Sequence, residues 1–169
     1  MSNDQLLAKI GKFGYCVEVN INDEEPLKPG TALVWKSSIP VQDTSVLMQC
    51  RCQVAFLGNL VLMNVYAHSG SDKRQERNDL FSKEMFQFMG LHANSSFICG
   101  GDFNSILSIH DVENGTGYSQ KYSQQLADLV RVHNLVDGFR FLNPAAERAS
   151  AAYSRLDRFY LSASSLFKI

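Results

Sequence analysis

The sequence predicts a mixed α/β or α+β layered fold, and three observations carry that expectation. Apolar residues alternate with a period of two from Tyr15 to Ile21 and from Val46 to Phe56, the period turns helical in two later segments, and strands that first follow one another as hairpins afterwards alternate with helices. With 169 residues, 45% of them apolar, the chain has the length of one domain and enough material for a core. No internal repeat, linker or low-complexity tract divides it.

The elements follow in order. Leu6, Leu7, Ile10 and Phe13 recur at helical spacing behind a capping Asn3 or Asp4, which predicts a short opening helix. Tyr15, Val17, Val19 and Ile21 then alternate with Cys16, Glu18 and Asn20, the pattern of a half-buried strand with one polar face. The acidic and proline-containing stretch from Asn22 to Gly30 is a turn, and Thr31 to Lys36 a second strand. From Val46 to Phe56 every second residue is apolar, so one long or bent strand is expected there. Gly58 and Asn59 make a tight hairpin turn into the run Leu60 to Tyr66, apolar on both faces as a central strand would be. Arg74 to Met89 is predicted as a helix with Phe81, Met85 and Phe88 on one face and Arg77, Lys83 and Glu84 directed elsewhere. Phe97, Ile98 and Cys99 form a buried strand. Tyr122, Leu126, Leu129 and His133 share a helical face, Leu135 to Phe141 opens a short strand or turn, and Arg155 to Leu161 is a final strand.

A net charge of −1 carries no global footprint of a nucleic-acid binder, although a local basic patch can hide in the sum. Cys16, Cys50, Cys52 and Cys99 have no CxxC spacing and read as small buried thiols of a reducing compartment. The amino terminus lacks the apolar core of a signal peptide, and no stretch reaches the roughly 20 apolar residues of a membrane span. An intracellular protein, nuclear or cytoplasmic and not secreted, is expected.

The segment with most chemical content is Gly100, Gly101, Asp102, Phe103 and Asn104, directly after the buried strand. Asp102 and Asn104 are two positions apart in extended chain and project to one face, and the glycines before them admit a close neighbour. A carboxylate and a carboxamide held together suit water activation beside a developing oxyanion. The same pair is also ordinary turn chemistry, since both side chains cap nearby amides. Two further segments flank it: Asn64, Val65, Tyr66, Ala67 and His68 end one strand, and Ser154, Arg155, Leu156, Asp157 and Arg158 open the last.

On these motifs, NVYAH, GGDFNSIL and YSRLDRFYLSAS in this order, the chain resembles the endonuclease/exonuclease/phosphatase superfamily, and within it most closely the endonuclease domain of LINE-type (non-LTR) retrotransposons. GTALVW, ERNDLFSKEMFQFM and LADLVRVHNLVDGFR support the match, which runs from about Tyr15 to Leu166. The resemblance implies a four-layer sandwich, two packed mixed β-sheets flanked by helices, and a Mg²⁺-dependent phosphodiesterase cleaving a nucleic-acid backbone, with DNA as ancestral substrate. It implies that Tyr66 bonds the scissile phosphate, Asp102 orients or deprotonates the water, Asn104 stabilises the charged phosphoryl oxygens, and Asp157 holds a catalytic His. Asp102 and Asn104 would be metal ligands, and Asn64, His68 and Arg155 would contact substrate. Read from the residues alone, Tyr66 could equally be core, Asp157 could pair with Arg155 or Arg158, and Asn64 could bond only backbone.

The chain also departs from the family's pattern. The opening strand with its Asn and the second strand with its metal-binding Glu have no counterpart, and neither Glu18, mid-strand, nor Glu24 or Glu25, in the turn, replaces that Glu. The closing Ser-Asp-His strand is missing too, and its His has no substitute: His68 is expected on a solvent-exposed loop, and His92, His110 and His133 on loop or helix surfaces. Ser150 is a weak stand-in for a phosphate-contacting Thr. Residues 1–169 are therefore expected to form a single, incomplete domain of this type with a poorly furnished Mg²⁺ site and low or absent activity. The alternatives are a non-catalytic remnant or binding module that keeps the fold, and a phosphatase or sphingomyelinase-like use of the same site.

Overall fold

Alternating sequence becomes sheet here because each strand has one face to bury. A computed structural model describes residues 3–22, 29–112, 121–144 and 154–166. Helix α1 (Asn3–Lys12) leads into β1 (Tyr15–Asn20), which pairs antiparallel with β2 (Thr31–Lys36) as a two-stranded sheet. Then come β3 (Asp43–Met48), β4 (Cys52–Leu57) and β5 (Leu60–Tyr66), and a helical run made of α2 (Arg74–Asp79), a π-helical turn (Leu80–Met85) and α3 (Phe86–Leu91). After β6 (Ser96–Asp102) follow α4 (Gln124–Val132), β7 (Leu135–Asp137), α5 (Gly138–Leu142) and β8 (Asp157–Ser162). Strands β3 to β8 form a six-stranded sheet in the order β3-β4-β5-β6-β8-β7, in which only the β5–β6 pair is parallel. The helical run between β5 and β6 is the crossover that a parallel pair requires. The mixed α/β expectation holds, and no described helix is long and apolar enough to cross a membrane.

One face of the six-stranded sheet is apolar and covered by helices. Cys52, Val54, Val61, Met63, Val65, Phe97, Cys99 and Tyr160 pack there against Leu80, Phe81, Met85 and Met89 of the crossover and Leu126 and Leu129 of α4. The π turn brings Leu80 and Met85, five residues apart, onto the buried side together. Ser123 caps α4, accepting from the Leu126 amide at 3.2 Å while donating to Asn78 Oδ1 of the crossover at 3.1 Å.

The other face carries polar residues at its centre, and these hold β1–β2 down. Gln53 and Asn64 are neighbours across β4–β5. Asn64 Nδ2 donates to the Ala32 carbonyl at 3.0 Å, and Gln53, with its amide oxygen turned to β2, accepts from the Leu33 and Ala32 amides at 3.0 and 3.1 Å. Beyond β2, over β6 and β8, the cover thins: Leu33, Leu62, Ile98 and Phe159 line an open cavity of about 320 Å³, and Phe159 is 64% exposed.

The structure departs from the sequence expectation in four places and extends it in one. The long strand from Val46 to Phe56 is two strands, β3 and β4, joined by a turn in which Cys50 takes φ +62°. The hairpin preserves the parity of the alternation, so the pattern could not reveal the break. Asn20, expected on a polar face, is buried. Leu135 to Phe141 opens on the expected short strand, three residues long, and adds a helix capped by Asp137, which accepts from the Arg140 amide at 3.2 Å. Arg77 is buried rather than solvated, donating to the His68 and Gly70 carbonyls at 2.7 and 3.0 Å. His68 is half-buried rather than exposed. Glu24, Glu25 and Ser150 lie outside the described residues.

Gly101 is the tightest position of the sheet. Its φ is +135°, and a Cβ there would stand 1.9 Å from the Val65 carbonyl oxygen, so β5 and β6 approach only because the side chain is missing. We expect Gly101→Ala to lower the unfolding free energy by roughly 2–5 kcal/mol, the clash and the disfavoured backbone acting together, as read by urea denaturation.

Candidate active site

Three strands end side by side on the face that carries Asn64. Tyr66 of β5 is in register with Asp102 of β6, and Asp102 with Asp157 of β8. Register partners present their side chains to one face with neighbouring Cβ atoms about 5 Å apart, so a phenol and two carboxylates stand abreast. Asp157 is exposed, whereas Tyr66 and Asp102 are half-buried.

The corner is fixed by a turn in the backbone after β6. Asn104 adopts φ +45°, a conformation asparagine tolerates, and its amide donates to Asp102 Oδ1 at 2.8 Å. Its side-chain Nδ2 donates to Asp102 Oδ2 at 3.1 Å and to the Ala67 carbonyl at 2.8 Å. The Ala67 amide returns a bond to the Asp102 carbonyl at 2.8 Å, and the Phe103 amide reaches the Leu156 carbonyl at 3.0 Å. Turn and paired side chains are thus one arrangement. Both hydrogens of Nδ2 are committed, so Asn104 orients the Asp102 carboxylate and offers no free donor to a substrate oxygen. The close neighbours admitted by the two glycines are the Val65 backbone at Gly101 and the Phe159 ring at Gly100.

Burial pushes the Asp102 carboxyl above the usual carboxylate range; the Asn104 donors oppose this, and the facing Asp157 charge adds to it. His68, two residues after Tyr66, has a buried Nδ1 without a partner, and burial followed by the Arg51 charge holds its imidazole below the ordinary value. No histidine is hydrogen-bonded to Asp157 among the described residues. The Arg51 guanidinium lies 5.0 Å from the centre of the Tyr66 ring. Asn64 is engaged with Ala32.

Asp157 pairs with neither Arg155 nor Arg158, because the guanidinium groups of both are engaged by Asp111 and Asp137. Buried Asp111 accepts from Arg158 Nη2 at 2.9 Å, Arg155 Nε at 3.2 Å, Arg140 Nη2 at 3.4 Å, and the Leu107 and Ser108 amides at 3.2 Å each. Asp137 takes the other end of the Arg155 guanidinium in a two-point contact. Arg158 also donates to the Ser105 carbonyl. The sequence reading missed this network, and Arg155, expected at the substrate, belongs to it. Its one sequence signal is the capping-box spacing of Ser108 and Asp111.

A Mg²⁺ ion needs about six oxygens in near-octahedral array. Both Asp102 oxygens already accept from Asn104, Asp157 is the one carboxylate in register with Asp102, and the described residues contain no group of three His, Cys, Asp or Glu able to hold a metal. This donor set does not fit a tightly held Mg²⁺.

No protein-family model matches the chain, and no curated protein sequence matches it. Solved structures do. An AP endonuclease from Archaeoglobus fulgidus superposes with TM-score 0.71 at 16% identity over 96% of this chain and 72% of its own. The 3'-5' exonuclease NExo from Neisseria meningitidis gives 0.66 at 18% identity over 94% and 71%. A single-residue variant of the Neisseria 3' phosphatase NExo, bound to a product DNA hairpin, gives 0.69 at 16% over 97% and 73%. The chain has the fold of these nucleases and phosphatases.

The Asp111 cluster sets a pH-dependent stability. Burial alone would raise the Asp111 carboxyl, but Arg158, the Leu107 amide and Arg155 outweigh it and hold the group below the ordinary range. A depressed folded-state value stabilises fully above the unfolded-state pKa of about 3.9 and is lost as pH falls through the folded one. Asp111→Asn should therefore cost about 3–5 kcal/mol near pH 7 in urea unfolding, and the gap to the parent should close only below about pH 4.

Proposed function

We propose that Tyr66, Asp102, Asn104 and Asp157 form the hydrolytic corner of a phosphodiesterase-type nuclease domain of retroelement origin, acting on a nucleic-acid backbone, with DNA as the ancestral substrate, and turning over slowly as this chain. The carrying observation is the register that sets Tyr66, Asp102 and Asp157 abreast at one sheet end. The same reading takes residues 1–169 as one such domain without the family's first strands and last strand.

The chemistry follows from the geometry. Asp102, oriented by two bonds from Asn104 and raised in proton affinity, is suited to align a water and draw off its proton as the oxygen attacks phosphorus. The Tyr66 hydroxyl is a donor for the charge that gathers on a non-bridging oxygen. Asp157, exposed and free of the arginine network, adds negative charge that keeps the Asp102 proton affinity high. Mg²⁺ enters this reading only through the family resemblance, and no step above runs through it. The commitment of both Asn104 hydrogens and the sparse donor set support a low rate.

Nicking of supercoiled plasmid in Mg²⁺ tests the proposal. Slow nicking is expected, falling at least about 100-fold in Asp102→Ala, as for loss of a general base. Its rate should decline on the acid side at a pH above the ordinary carboxylate value, because only ionised Asp102 accepts a proton. Absence of nicking at high protein concentration would overturn catalysis and leave a binding module on the nuclease fold.

A further inference from the structure

Arg51, to which the sequence reading gave no role, occupies the tip of the turn between β3 and β4, and its placement is enforced. Cys50 before it takes φ +62°, an unfavourable backbone for a side chain other than glycine. The strain is held by Asn20, which is only 3% exposed: the Cys50 amide donates to Asn20 Oδ1 at 2.7 Å, and Asn20 Nδ2 donates to the Met48 carbonyl at 3.1 Å and to Thr31 Oγ1 at 3.2 Å. On the other side, the Arg51 carbonyl accepts from the Tyr66 amide at 2.7 Å, and the Arg51 amide donates to the Met48 carbonyl at 3.0 Å. The base of the side chain is thereby locked to Tyr66.

The guanidinium lies 5.0 Å from the Tyr66 ring centre, within cation–π range. That contact occupies its face and leaves the N–H edge for an acceptor. Among the described residues Arg51, like the exposed Lys9, Lys12 and Lys36, has no carboxylate partner, whereas Arg131, Arg140, Arg155, Arg158, Lys73 and Lys83 are all ion-paired. Arg74 and Arg77 donate to carbonyls instead. An unneutralised cation, backed by a strained and buried support and set beside the phenol of the corner, is arranged for an anion from outside.

We propose that Arg51 binds a backbone phosphate of the nucleic acid, its N–H edge taking two phosphate oxygens next to the Tyr66 hydroxyl. This rests on the nuclease reading and adds the group that anchors the substrate there. Arg51 is a binding residue in this scheme, contacting no water or leaving group.

The test is a fluorescence-anisotropy titration of a labelled DNA duplex in EDTA, so that no turnover occurs, across roughly 50–200 mM salt. Arg51→Gln should bind more weakly whatever the duplex sequence, with a log–log salt slope shallower by about 1. Its loss of affinity across that salt range should be about threefold smaller than the parent's. Lys83→Gln, which removes an exposed cation on the crossover helix, should leave the slope unchanged. Arg51→Lys, which keeps the charge without the planar fork, should keep the slope while losing affinity several-fold, and it stands as a second test should the Gln variant fail to fold. A slope unchanged in Arg51→Gln, equal reductions in Arg51→Gln and Lys83→Gln, or full affinity in Arg51→Lys would overturn the assignment. If the parent binds no duplex at any salt, the nuclease reading fails instead, and normal binding indifferent to Arg51 removes this inference alone.

Discussion

The close approach of β5 and β6 at Gly101 governs the geometry of everything around it. The two strands are the one parallel pair in the sheet, and where they end the Val65 carbonyl occupies the space a Cβ at position 101 would need. That contact lets Tyr66 and Asp102 finish level with one another, and it lets the Ala67 amide and carbonyl bond the Asp102 carbonyl and the Asn104 side chain. A backbone held on both sides in this way fixes the two side chains without help from a ligand.

The third member of the corner is set by charge. Asp111 gathers Arg158, Arg155 and Arg140 from below, and Asp137 shares Arg155 and caps the following helix. Buried ion pairs are an uncertain source of net stability, since desolvation offsets most of the attraction, but a pair left with one member is severely penalised. The consequence here is positional: with the guanidinium groups of its two arginine neighbours held by Asp111 and Asp137, Asp157 keeps its carboxylate beside Asp102. Alternation along β8 sorts Arg158 inward and Asp157 outward, and the buried aspartates keep them there.

Between the sheets the central contact is made by amides. Asn20, Gln53 and Asn64 reach across to backbone groups, so β1–β2 sits on the larger sheet with a defined position instead of a slippery apolar one. The same devices serve the corner, since Asn20 holds the strained turn that carries Arg51 to Tyr66. A fold shared with DNA-processing nucleases and phosphatases at 16–18% identity fits this economy, because few positions have their chemistry fixed by geometry and the remainder are free to vary.

Much of the architecture was legible from sequence, because hydrophobic period reports directly on which face of an element is buried. The central β5, the Gly58–Asn59 turn and the helical stretch after Arg74 all follow from local pattern. So does the delivery of Asp102 and Asn104 at a strand end. Period alone could not distinguish one long strand from the β3–β4 hairpin, since the turn at Cys50 preserves parity. Nor could residue type show that Arg77 and Arg158 are buried, that Asn64 and Asn20 bind backbone, or that Arg155 belongs to an ion network, because each depends on partners between 7 and 53 residues away in the chain. Residue order alone settles which side chains stand at the strand ends. Tertiary packing decides which of them are left facing a common space, because the contact at Gly101 and the pull of Asp111 and Asp137 consume the polar atoms of the others.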